Sequence, residues 1–134
     1  MPGRGLTENE IGLIVVDAAM CVHKDLGSGL LETAYEQALS FELQRRGLNV
    51  ESQVLVPVYY QGQRLENAFR ADMIVDNKVI LELKSVEQLV PAHRKQVLTY
   101  LRLSGLKLGY LINFGSQQLK SGISRLVNGL PETA

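Results

Sequence analysis

Cysteine is nearly missing from this chain: Cys21 is the only one in 134 residues. A single thiol cannot close an internal disulfide or build a cysteine-based zinc site, so Cys21 reads as a small buried helix residue. Such a chain fits a reducing cytoplasm. Long apolar runs are missing as well. Nothing approaches the ~20 residues that a membrane-spanning helix needs, and no secretory leader is recognised. Net charge is absent, with 14 Lys and Arg against 14 Asp and Glu, so overall composition announces no nucleic-acid partner. There is no glycine-rich phosphate loop, no GxGxxG after a strand, and no Cys/His cluster. No serine or cysteine has an identifiable base. Repeats, linkers and low-complexity segments are not seen.

What remains is ordinary globular material, 46% apolar and 21% charged. The length suits one domain over residues 1–134, with 1–6 and 131–134 expected to fray. The charge is unevenly spread. Residues 1–90 carry 8 Lys/Arg and 13 Asp/Glu, whereas residues 91–134 carry 6 and 1. A basic C-terminal third beside an acidic cluster can hold phosphate near a metal, although ordinary surface charge explains the same numbers.

Thr7 and Glu10 form a capping-box pattern that predicts a helix over about 8–25, burying Ile11, Val15, Ala18, Ala19 and Val22. Gly27-Ser28-Gly29 breaks it. Ser28 is placed to cap a second helix over about 29–46, with Gly47 as its stop and Leu31, Ala34, Ala38 and Phe41 as its apolar stripe. Residues 50–60 are rich in β-branched and aromatic side chains and read as a strand, turned by Gln61-Gly62-Gln63 into a strand over 64–75. Strand 78–84 follows. Pro91 opens a helix over 91–103 that Ser104-Gly105 ends. Residues 108–114 read as a buried strand, and 123–127 as a last strand in preference to a short helix. The fold class is α/β (α+β): a mixed sheet in the order α-α-β-β-β-α-β-(β), flanked by helices. The crossover helix permits strands 78–84 and 108–114 to run parallel.

One polar cluster stands out within the apolar hairpin. Asp72 lies on one strand, with Glu82 and Lys84 on the next. Such groups are costly in a sheet unless they bind something. Side chains alternate along a strand, so the turn decides whether the three meet. A two-residue loop at Asp76-Asn77 sets Glu82 and Lys84 on the face opposite Asp72. A three-residue loop, Val75 to Asn77, pairs Asp72 with Ile80 and puts all three on one face; a two-residue turn plus a bulge near Asp72 does the same. One of the two latter geometries is expected.

Two further pieces accompany the hairpin's Glu82-x-Lys84: Glu32 within Gly29-x-x-Glu32-x-x-Tyr35, and Gln96-x-x-x-Tyr100 on the following helix. Together with Asp72, in this order and over roughly residues 8–130, they resemble the PD-(D/E)XK nuclease superfamily. More closely they resemble its GxxExxY family. The resemblance implies a restriction-endonuclease-like core and a Mg²⁺- or Mn²⁺-dependent phosphodiesterase acting on nucleic acid, with DNA expected. It implies Asp72 and Glu82 as metal ligands, the Leu83 carbonyl completing the site, and Glu32 joining directly or through water. Lys84 would orient the attacking water or stabilise charge on the phosphate. Gln96 and Tyr100 would brace the metal strand and contact nucleic-acid backbone.

The residues themselves add other candidates, each with a plainer alternative. His93 shares a helix face with Gln96 and Tyr100 and could touch phosphate or move a proton; it could equally be an ordinary surface histidine. By strand parity Arg70 shares the face of Asp72 and could hold a phosphate, or it is an exposed sheet arginine. Arg94, Lys95, Lys120 and Arg125 could meet nucleic-acid backbone or be surface charge. Tyr35 reads as core with a tethered hydroxyl, Glu36 as solvated or secondary to the site, and His23 as a helix C-terminal charge. The leading functional expectation is a metal-dependent DNA nuclease, aided by a dimer or partner protein. The alternatives are a nucleic-acid- or protein-binding module with little catalysis, and a phosphodiesterase for small phosphate esters.

Overall fold

The computed structural model describes residues 5–131. Its elements run α1 (Glu8–Leu26), α2 (Glu32–Arg45), β1 (Val50–Tyr60), β2 (Gln63–Val75), β3 (Val79–Lys84), α3 (Pro91–Ser104), β4 (Leu108–Asn113), a 3₁₀ turn (Leu119–Gly122) and β5 (Ile123–Val127). This is the expected order, with the last segment a strand. The sheet has five strands in the order β1-β2-β3-β4-β5, antiparallel except for the β3–β4 pair, which α3 connects as a parallel crossover.

The capping box forms as expected. Thr7 Oγ1 accepts from Glu10 N at 3.1 Å and Thr7 N donates to Glu10 Oε1 at 2.8 Å. The buried face of α1 is the expected one, with Gly12 added because Tyr110 presses against it. On α2 the expected stripe is displaced. Leu31 and Phe41 are exposed, and the buried residues are Tyr35, Leu39 and Leu43, an i, i+4, i+8 ridge. The helix starts at Glu32 rather than 29, and Ser28 does not cap it. Gly47 does stop it, with φ at +89°. Cys21 is exposed rather than buried, its Sγ accepting from Arg46 Nη2 at 3.2 Å.

The sheet carries a core on each side. Beneath α1 and α2 lie Met73, Val75, Val79, Leu81 and Leu83 together with Tyr35 and Phe114, whose rings stack 4.5 Å apart. Beneath α3 lie Ala71, Ile74, Ile80, Val97, Leu101, Leu111 and Leu126. Leu6 packs against the first core and its carbonyl accepts from Lys78 Nζ, while Leu130 also packs there. Residues 1–4 and 132–134 lie outside the described residues. Among the described residues no helix is long and apolar enough to cross a membrane.

Candidate active site

The site grows out of the β2–β3 turn. Asp76 and Asn77 both take positive φ, at +51° and +56°, and Lys78 N donates to Val75 O at 3.0 Å. The ladder then pairs Val75 with Val79, Ile74 with Ile80, and Met73 with Leu81. The loop is three residues long, as one expectation required, but it is Asp76–Lys78 rather than Val75–Asn77. That shift brings Asp72 opposite Glu82 instead of Ile80, a more direct juxtaposition than expected. Alternation also breaks at Asp72, because Ala71 packs beneath α3 while Met73 packs beneath α1 and α2.

At this pair the two strands stop bonding main chain to main chain, and the carboxylates take over. Glu82 Oε1 accepts from Asp72 N at 3.1 Å, and Asp72 Oδ2 accepts from Leu83 N at 2.8 Å. Each acid is thus locked by the other's strand. Glu82 is 4% exposed, one of two buried polar residues among the described residues, whereas Asp72 is half-buried. Burial, followed by the neighbouring Asp72 charge, pushes the Glu82 carboxyl up to about 8. Lys84, half-buried at the strand end, partly offsets that rise, yet it makes none of the ion pairs within 4.0 Å among the described residues.

Helix α3 closes the site from one side. Tyr100 stacks on Phe69 of β2 with ring centres 4.0 Å apart, and the Gln96 side chain lies beside its hydroxyl. Burial raises the Tyr100 pKa, and the Glu82 and Asp72 charges raise it further. The Gln96–Tyr100 pair and the two carboxylates therefore share one electrostatic environment. His93 stands apart in role: its Nδ1 accepts from Val90 N at 3.2 Å, closing the first turn of α3. Arg70 is exposed, between Phe69 and Ala71, which both turn toward α3, so the parity that allied it with Asp72 does not hold.

Glu32 opens α2 on the other side. It is exposed, lining a groove with Leu30, Leu31, Thr33 and Ser85, the residue after Lys84. Among the described residues no three His, Cys, Asp or Glu side chains converge, so Glu32 does not close a carboxylate triad with Asp72 and Glu82. Gly29 and Tyr35 of the same motif act on the backbone. Gly29 takes φ +111°, and Tyr35 Oη donates to Gly27 O at 2.6 Å while accepting from Leu30 N at 3.1 Å. Glu36 is engaged by Gln53 Nε2 at 2.7 Å. Arg125 is bonded to Asn9 at 2.6 Å with its charge near the Tyr110 hydroxyl, and the His23 ring lies 2.8 Å from Ser116 O. Arg94, Lys95 and Lys120 are exposed.

One residue of the site was not foreseen. Asn113 is 1% exposed and ends β4. Its Oδ1 accepts from Val86 N and Gly115 N, both at 3.0 Å, and its Nδ2 donates to Val86 O at 2.9 Å. With Phe114 N donating to Lys84 O at 2.8 Å, it pins the chain where it leaves the Glu82-x-Lys84 strand. The signal was a lone polar residue ending an otherwise apolar strand, with glycine two residues later.

The donor chemistry suits a hard divalent cation. Two carboxylate groups lie side by side, one of them buried, and oxygen-only pairs of this kind hold Mg²⁺ or Mn²⁺ with water completing the shell. Two charges about 4 Å apart repel by roughly 4 kcal/mol at an effective dielectric near 20, a cost that a cation removes. The family model of the PD-(D/E)XK nuclease superfamily matches residues 9–126, which include every side chain of this arrangement. No curated protein and no solved structure matches the chain. With its mixed sheet, its Asp72–Glu82 pair and that match over most of its length, the chain belongs to the PD-(D/E)XK nuclease superfamily.

Proposed function

We propose that this chain is a divalent-metal-dependent nuclease that hydrolyses phosphodiester bonds, with DNA as substrate. The observation that carries the reading is the Asp72–Glu82 pair. Two acids have displaced the β2–β3 ladder bonds at the point where the strands part, and Lys84 stands two residues on, outside any ion pair among the described residues. A structural hairpin gains nothing from burying Glu82 against a second carboxylate.

Asp72 and Glu82 would hold the cation, Mg²⁺ or Mn²⁺, with the Leu83 main chain beside them. When bound, that cation supplies positive charge to the phosphate and acidifies water. The chain's own groups do the rest. The Leu83 and Asp72 amides fix the carboxylates before substrate arrives, so little reorganisation is needed. Lys84 places an ammonium where negative charge grows on the phosphate or on the attacking water. Gln96 and Tyr100 hold the wall of the site and present donors to the strand. Glu32, at the groove edge, acts through water rather than as a direct ligand. Exposed Arg94 and Lys95 on α3 give the substrate backbone a cationic approach. The Gly29, Glu32 and Tyr35 pattern, with Tyr35 bracing the loop that presents Glu32, supports assignment to the GxxExxY family.

The test is cleavage of linear, circular, branched and single-stranded DNA with Mg²⁺ or Mn²⁺, beside Lys84→Ala and Asp72→Asn. Cleavage is expected from the parent and lost in both variants. Metal should raise the melting temperature of the parent and not of Asp72→Asn. Cleavage that persists in Lys84→Ala refutes the role given to the ammonium. No cleavage of any substrate, with equal metal shifts in parent and Asp72→Asn, leaves the binding-module reading in its place.

A further inference from the structure

The strand that carries Asp72 reaches well past the site. β3 pairs with β2 only from Met73 to Val75, whereas β1 pairs with it as far back as Gln63. From Asp72 to Gln63 the β1–β2 ribbon therefore stands as an arm, roughly 30 Å long at roughly 3.3 Å per residue. Its root is braced, for Phe69 stacks on Tyr100, and Val54 and Val56 pack against the core beneath α3. Its end is bare. Residues 59–68 are all exposed, although a two-stranded ribbon alone in water is marginal.

The arm is badly suited to another protein. Pro57 takes an N–H out of β1, and Gln53 takes φ +53°. On β2, residues 66–68 bulge opposite Pro57, with Asn67 at φ +54°. No further strand can run along either edge. Nor does the tip have an apolar face. Cross-strand partners share a face, so Tyr59 and Arg64 lie on one and Tyr60 and Gln63 on the other. Both tyrosines are more than half exposed, and Gln61 and Gly62, at φ +51° and +80°, close the tip in two residues.

A narrow ribbon with aromatic and hydrogen-bonding groups on both faces suits a slot with polar walls on both sides. The major groove of B-form DNA, about 12 Å wide, admits a two-stranded ribbon between its base edges and phosphates. A single strand has no such groove, and that of an RNA duplex is too narrow. Resting on the nuclease reading, we propose that the β1–β2 tip enters the major groove of duplex DNA beside the phosphate taken at Asp72 and Glu82. β2 carries both the tip and Asp72, so the two act on one duplex just under a helical turn apart. The chain then takes duplex DNA in preference to single strands and to RNA duplex.

Two variants test this. The triple variant Tyr59→Ser, Tyr60→Ser, Arg64→Ser keeps the ribbon and strips its tip. All three residues are exposed, so its melting temperature and metal-induced shift should match the parent. The second variant joins Val58 to Leu65, already cross-strand partners, through Asn-Gly in place of residues 59–64. Fluorescence anisotropy in a Lys84→Ala background measures binding without cleavage. The probes are a DNA duplex of about two helical turns, one of its strands, and an RNA duplex of the same sequence. Lys84→Ala alone should favour the DNA duplex over both other probes. Either tip change should weaken duplex binding about tenfold, the worth of one good contact, and leave single-strand binding unaltered. Unaltered duplex binding in both tip variants, equal affinity for DNA and RNA duplexes, or no duplex binding by Lys84→Ala overturns the proposal. So does a tip change that alters sedimentation while duplex binding stays intact, since the arm then serves self-association. A lack of cleavage by the parent counts against the nuclease reading alone, because anisotropy does not depend on it.

Discussion

Replacing Glu82 by Gln should make the metal-free protein more stable at alkaline pH. The folded protein holds a proton on Glu82 up to about pH 8, against an ordinary value of 4.5, because the group is buried and faces Asp72. Below 4.5 both folded and unfolded chains carry that proton, and this group makes no difference. Between 4.5 and about 8 the unfolded chain has released it while the folded chain keeps it. Unfolding then releases a proton, and stability falls as pH rises. At about 1.4 kcal/mol per pH unit, the full window costs on the order of 5 kcal/mol, levelling off above pH 8. Gln cannot ionise, yet its Oε1 can still accept from Asp72 N. Urea titrations of parent and Glu82→Gln at intervals from pH 5 to 9 should therefore give curves that agree at the acid end and separate by several kcal/mol at the alkaline end. Other titrating groups cancel in the difference. Because cation binding requires the proton to leave Glu82, Mg²⁺ should bind the parent more tightly as pH rises to about 8, and should not rescue Glu82→Gln. Parallel stability curves would refute the reasoning, since they would mean that Glu82 is not held protonated in the fold.

Three further outcomes follow from single contacts. Asn113→Ala strands two amides and the Val86 carbonyl, and should cost about 2–4 kcal/mol in urea unfolding while speeding amide exchange at Val86 and Gly115. Gly115→Ala drives a methyl into the Val86 backbone and should destabilise by about 1–3 kcal/mol, whereas a Cβ at Gly47 meets nothing and Gly47→Ala should cost only about 1 kcal/mol through its left-handed backbone. Tyr35→Phe keeps the stack on Phe114 but removes the bridge between Gly27 and Leu30. It should cost about 1–3 kcal/mol and enhance proteolysis in the 27–31 loop.

Local signals were enough for much of this fold. Thr7 and Glu10 set the start of α1, Pro91 and Gly105 bound α3, and runs of β-branched residues marked the strands; each depends on neighbours a few residues apart. The meeting of Asp72 with Glu82 on neighbouring strands was legible for a related reason. Charged groups within apolar strands are conspicuous, and their order along the chain carries the resemblance to the family. Other features depended on which elements face one another. Helix α2 buries Tyr35, Leu39 and Leu43 rather than Leu31 and Phe41, because Tyr35 meets Phe114, just past the distant strand β4. Arg70 leaves the site because the backbone alternation breaks at Asp72, and His93 is engaged in its own helix start. Glu32 opens α2 at the edge of a groove with Leu30, Leu31, Thr33 and Ser85. Asn113 matters only once β4 lies beside β3 and brings its amide to Val86. The sequence by itself determined the chemical groups and their order. The tertiary structure decided which of them meet, because each face-to-face contact is set by register and packing between segments far apart in the chain.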